Sequence, residues 1–200
     1  MAYIPAEQRR QDLVEAAVRV VAEQGVRGAT TRRIAAEADA PLATLHYCFH
    51  TKENLFFAVF QHINEQVSGG EPREQRALGL RRAATDLMTA TVQWSVDHET
   101  YALAQFDLYL WAIREERRDG SLAVDVYDLF IDRFCQVLRA SLTAEDDPAL
   151  VRPLARVMAS LIDGMTMQWN GHRDQHRLRE DLALANAMLD SFLAMGAARV

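Results

Sequence analysis

Apolar residues recur at three- and four-residue spacing along almost the whole of this 200-residue chain. That is the period of a helix with one face against a core. Alternating runs bounded by turn residues, the signature of strands, are missing. The pattern therefore predicts an all-α protein. The cluster Ser68-Gly69-Gly70-Glu71-Pro72 is the one clear breaker. It predicts a compact helical head over residues 1–68 and a larger helical body over residues 69–200.

In the head, the first helix is expected from about Ala6 to Gln24, with Leu13, Ala17, Val20 and Val21 on one face. Gly25 follows as its C-cap and Gly28 loosens the connection. Thr30 or Thr31 caps a short helix to Ala38 that turns Ile34 and Ala35 inward. Asp39-Ala40 makes a tight turn, and Pro41 opens a third helix reaching about His50. Thr51 caps a fourth, with Glu53 in its first turn and Leu55, Phe56, Val59, Phe60 and Ile63 on its apolar face. In the body the pattern predicts helices over roughly 73–96, 99–117, 121–142, 148–171 and 180–197. Asp119-Gly120, Asp146-Asp147-Pro148 and the polar stretch Gly171 to Arg179 supply the turns.

The formal net charge of −6 argues against indiscriminate binding to nucleic acid, so its distribution matters more than its sum. Residues 1–60 hold seven basic and seven acidic side chains, and the remainder fifteen and twenty-one. Residues 1–60 are thus neutral, and the acidity lies beyond them. Lys52 is the only lysine. No apolar run reaches membrane-spanning length and Met1 to Arg10 lacks the apolar stretch of a signal peptide, so a cytoplasmic protein with no membrane partner is expected. Cys48 and Cys135 lack metal-ligand spacing and read as free, packed thiols.

Two short helices joined by a three- or four-residue turn, with another before them, form a helix-turn-helix arrangement. The residues sharpen this. Thr30-Thr31-Arg32-Arg33-Ile34-Ala35 opens the second helix, Thr44-Leu45-His46-Tyr47-Cys48-Phe49 fills the third, and Lys52-Glu53-Asn54-Leu55 opens the fourth. Over about residues 8–60 this resembles the head of the TetR family of transcriptional regulators, in which such a head binds DNA. The resemblance implies that Thr44 and Lys52 contact phosphate and that His46 and Tyr47 add phosphate or base-edge contacts. Pro41, Leu42 and Ala43 would face the bases, and Arg32 and Arg33 would meet phosphate or guanine. Leu45 and Phe49 turn into the head core. Three departures from the family pattern stand out. Asp39 replaces the usual Gly of the turn, Leu42 replaces a polar or basic residue, and the aromatic order around His46 and Cys48 is altered. Asp tolerates left-handed backbone better than most residues, so the turn survives.

The body shows no phosphate-cradling loop, nucleophile elbow or zinc helix motif, and no catalytic residue, metal site or cofactor is expected in it. His172 and His176 stand four apart with Asp174 between them, but the stretch is polar enough to be a solvated loop. Leu150, Leu154, Val157, Leu161, Met165 and Trp169 form one stripe, and Ala185, Met188, Leu189, Phe192, Leu193 and Met195 form a wide apolar face. A wide face on a terminal helix needs more cover than its own body supplies. Family members pair through their last two long helices, so Leu161, Met165, Met188, Leu189 and Phe192 are the expected homodimer contacts. The small residues Ala159, Ser160 and Gly164 would permit close approach.

The middle helices are rich in aromatics and Met, with Gln93, Asp97, His98, Gln105 and Asp107 threaded among them as interior polar groups. An apolar cavity with a few convergent polar groups suits a small ligand. The resemblance places the effector pocket here, and Met88, Trp94, Phe106, Tyr109, Trp111, Asp163 and Trp169 are its expected lining. The favoured reading is a ligand-responsive repressor, homodimeric on a palindromic double-stranded DNA operator and released by a small apolar or aromatic effector. The competing reading is a helical small-molecule-binding protein or enzyme whose head no longer reads DNA.

Overall fold

The computed structural model describes residues 5–67, 78–119 and 122–197. Among them are nine α-helices, one short 3-10 turn and no strand, so the all-α expectation holds. The breaker cluster and the expected helix start at 73 lie outside the described residues. Two compact units emerge from the packing. One comprises Met1–Gln66 with Glu99–Tyr127, the other Val67–His98 with Asp128–Val200. The division at residue 68 thus does not coincide with the packing units, because α6 (Glu99–Asp119) lies along α1 (Ala6–Gly28) and joins the first unit.

The first unit is built around α1. Leu13, Val14, Ala16, Ala17, Val18, Val20 and Val21 are all buried, so the helix is covered over far more than one stripe, as a helix with neighbours on several sides must be. Gly25 takes φ 69°, ψ 166° and ends the regular part of α1. This bend is open to glycine and strained for other residues. Thr30 Oγ1 accepts from Arg33 N and caps α2 (Thr31–Glu37), which settles which threonine is the cap. Asp39 turns the chain at φ 46°, the left-handed backbone that Asp tolerates in place of glycine. Pro41 stands just before α3 (Leu42–Cys48), and Thr51 Oγ1 caps α4 (Lys52–Val67) through Asn54 N. Ile34, Leu45, Phe49, Leu55, Phe56, Val59, Phe60 and Ile63 close the core as expected.

A polar chain crosses this core. Gln11 Nε2 meets His62 Nδ1 at 2.9 Å, and His62 Nε2 meets the Tyr101 hydroxyl at 3.5 Å. Burial lowers the His62 pKa against the pull of Glu15 and Glu65, so the folded state favours the neutral ring. The unfolded chain then takes up a proton more readily as pH falls below the ordinary histidine value. Stability is therefore full above about pH 6.5 and declines below it. The melting temperature of His62→Gln, which keeps hydrogen-bonding capacity but does not titrate, is expected to fall less between neutral and mildly acid pH. Parallel melting curves for the two proteins would contradict this assignment.

The second unit contains α5 (Leu80–Asp97), most of α7 (Leu122–Ala140), the turn Pro148–Leu150, α8 (Val151–His172) and α9 (Gln175–Ala197). Leu78 and Gly79 are not helical, so α5 starts later than the apolar pattern suggested. Asp146 fixes that start. Its carboxylate accepts from Leu80 N, Thr143 N and Thr143 Oγ1 at 3.1, 2.8 and 2.7 Å. Burial opposes its ionisation, but these donors outweigh burial and lower its pKa. Arg152 forks to Asp128 and Asp132 at 3.0 and 2.5 Å.

The polar stretch from Gly171 to Arg179, read as a long turn, is mostly helix. Only Arg173, at φ 56°, and Asp174 separate α8 from α9. Asp174 Oδ1 caps the new helix through His176 N and Arg177 N at 2.9 and 3.1 Å, which polar composition alone concealed. His172 and His176 thus lie on different helices. Their rings meet Arg177 and Glu180, and no cluster of three metal-type ligands occurs among the described residues.

Candidate nucleic-acid interface

α2 and α3 are joined by the four residues Ala38–Pro41. Arg32 and Arg33 are exposed at the start of α2. At the start of α3, Pro41 and Ala43 are exposed while Leu42 and Thr44 are half-buried. His46 is exposed, and Tyr47 is 80% exposed. An aromatic so open contributes nothing to the core. Leu45 and Phe49 point the other way and hold the helix down.

Two of the cations expected at DNA have internal partners. Arg33 Nη1 donates to Gly28 O at 3.1 Å. Lys52 Nζ donates to Val26 O at 3.2 Å and lies 4.9 Å from the centre of the Phe56 ring. Lys52 lines a cleft of about 550 Å³ in the first unit together with Arg27, Asp107, Trp111 and Arg114. Arg27 and Arg114 escaped the sequence reading, because a lone arginine carries no signal until folding sets it beside Lys52.

The expected effector residues divide between the units. Phe106, Tyr109 and Trp111 belong to the first. Trp111 meets Phe56 edge-on at 5.0 Å and Tyr109 meets Tyr127 at 4.2 Å. Met88, Trp94, Asp163 and Trp169 belong to the second; Met88 is fully buried and Trp94 stacks on His98 at 4.6 Å. Gln93, Asp97 and His98, expected inside, are exposed. Thr91 Oγ1 on α5 and Thr166 Oγ1, Trp169 Nε1 and Asn170 Oδ1 on α8 are buried without a hydrogen-bond partner.

Of the expected dimer contacts, Met165 and Leu189 are buried within the chain itself, Leu161 is half-buried, and Met188 and Phe192 are exposed. Val157 and Leu184 are exposed as well. A groove of about 220 Å³ between α8 and α9 is lined by Leu161, Gly164, Leu184 and Met188, among others. Nothing lies within 4 Å of a Cβ placed on Gly164.

Comparison with known proteins decides the family. Residues 13–59 match the model described as "Bacterial regulatory proteins, tetR family". A nicotine-responsive transcriptional repressor of Paenarthrobacter nicotinovorans is 31% identical over 191 residues, 92% of this chain and 94% of that protein. The chain belongs to the TetR family. This TetR-family regulator also resembles the multidrug binding protein EbrR complexed with ethidium, 26% identical with a TM-score of 0.65. That alignment covers 91% of this chain and 98% of EbrR. A family member from Streptomyces coelicolor A3 is 28% identical with a TM-score of 0.64, over 88% and 96% of the two chains. The Paenarthrobacter relative is a transcriptional repressor, and the helix-turn-helix is the DNA-binding part of this regulator. No helix among the described residues is long and apolar enough to cross a membrane.

Proposed function

We propose that this TetR-family regulator is a repressor that binds a palindromic operator as a homodimer and is released by a small apolar or aromatic effector. The observation that carries the DNA reading is the exposed edge made by Arg32, Arg33, Pro41, Ala43, His46 and Tyr47 on two short helices. In such a head the N-terminal residues of the recognition helix, here α3, read base edges while flanking cations and hydroxyls grip phosphate. Leu42 and Ala43 offer apolar contact suited to thymine methyls, Thr44 a hydroxyl to phosphate, and Lys52 a point charge.

Release requires a ligand with different affinities for two arrangements of the body. The partnerless polar atoms of Thr91, Thr166, Trp169 and Asn170 support a site there, since a buried polar group with no protein partner calls for a bound water, ion or ligand. The relatives accord with this: one is nicotine-responsive, and EbrR was crystallised with imidazole, ethidium, proflavin and malachite green. The homodimer reading rests on the exposed Leu184, Met188 and Phe192 beside open space at Gly164. A screen of aromatic and heteroaromatic amines is the test. A true effector raises the melting temperature by mass action, changes Trp fluorescence and lowers affinity for DNA. A compound panel that stabilises the protein without weakening its DNA complex would contradict the release mechanism.

A further inference from the structure

Lys52, expected at a DNA phosphate, and Arg33, expected at phosphate or guanine, are hydrogen-bonded in the free chain to the carbonyls of one short segment. Lys52 Nζ holds Val26 O and Arg33 Nη1 holds Gly28 O. Both carbonyls belong to the bend that leaves α1 at Gly25 and ends at Thr30, the cap of α2. A carboxylate from α6 grips the same bend through an N–H. Val26 N donates to Asp107 Oδ2 at 2.5 Å across 81 residues of sequence. The approach is close enough that a Cβ on Gly25 would meet that oxygen at 3.1 Å. Such a bond to an ionised acceptor is about twice as strong as a neutral one.

These contacts respond differently to DNA. A phosphate that draws Lys52 or Arg33 takes a donor away from a bend carbonyl, whereas the bond from Val26 N to Asp107 uses neither cation and is not broken when they move. The bend contains two glycines and is costly to order without anchors. It also leads directly into α2, with Arg32 and Arg33, and is held from α4 by Lys52. We propose that Asp107 is a positioning residue for DNA binding, holding the bend between α1 and α2 in shape through Val26 while Lys52 and Arg33 exchange carbonyls for phosphates. The proposal rests on the phosphate roles given to those two cations.

Electrostatics alone makes the opposite forecast, which gives the test its force. Removing a negative charge beside a DNA-binding head should strengthen binding. Positioning predicts a loss. Full-length wild type, Asp107→Asn, Asp107→Ala, Lys52→Ala and Arg33→Ala are compared on a mixed-sequence duplex of about three helical turns, across a salt series, where circular dichroism shows full helicity. Asp107→Ala is expected to bind about tenfold more weakly with an unchanged salt slope, and the near-isosteric Asp107→Asn about threefold more weakly. Hydrogen exchange supplies a second readout: the Val26 amide stays protected in the wild-type DNA complex and exchanges freely in that of Asp107→Ala. Should Asp107→Ala not fold, Asp107→Asn carries the test alone. Wild-type or higher affinity for a fully folded Asp107→Asn overturns the proposal. Unchanged salt slopes for both Lys52→Ala and Arg33→Ala would instead overturn the phosphate reading beneath it.

Discussion

Phe192→Asp and Met188→Asp are each expected to turn the protein from a dimer into folded monomers at micromolar concentration. Phe192 and Met188 are 46% and 57% exposed on α9, so neither change disturbs the core of its own chain. Each sets a charge where an apolar partner face would lie, and a symmetric seam meets every substitution twice. Leu189 makes the contrast. It was expected in the same seam, but it is 4% exposed and packs inside the chain. Leu189→Asp should therefore unfold the body as well as part the dimer. Sedimentation with circular dichroism separates the cases: helical monomers for Phe192→Asp, lost helicity for Leu189→Asp. A wild type that sediments as a monomer would contradict the proposed assembly.

The second large effect concerns charge in the head. Replacing Arg32 and Arg33 together by alanine is expected to lower the salt slope by about two units, if each neutralises one phosphate. At physiological salt, two lost contacts of this kind correspond to about thirtyfold weaker binding. The loss should be similar on operator and mixed-sequence DNA, because phosphate contacts carry no sequence information. Changing Leu42 or Tyr47 should do the reverse. It should shift which base is preferred by roughly 1–3 kcal/mol per lost contact and leave the slope nearly alone. A slope unmoved by the double arginine change would remove both residues from the phosphate interface.

Local structure was legible wherever one residue type answers one backbone demand. Gly25 and Asp39 both adopt positive φ, and Thr30, Thr51 and the core faces of α2, α3 and α4 stand as the pattern required. Packing between distant segments was less so. Periodicity shows which face of α6 is buried but not that α1 covers it, and it gave Asp107 no partner among the first thirty residues. The polar hairpin from Gly171 to Arg179 misled for a related reason. Its polarity reports exposure, while the cap at Asp174, visible only in the fold, lets exposed helices continue almost to the turn. On α9 a wide apolar face could not be divided by sequence into Leu189, which serves the chain's own core, and Phe192, left outside it.

The central claim, that this head reads DNA in pairs, is tested most directly by footprinting the DNA that flanks the protein's own coding region. The pure protein is expected to protect a palindrome whose half-sites lie about 34–36 Å apart, or a multiple of that spacing, with one chain to each half-site. Protection should survive an excess of mixed-sequence competitor. Retention that vanishes with competitor, or a single chain bound to an unsymmetrical site, would contradict it.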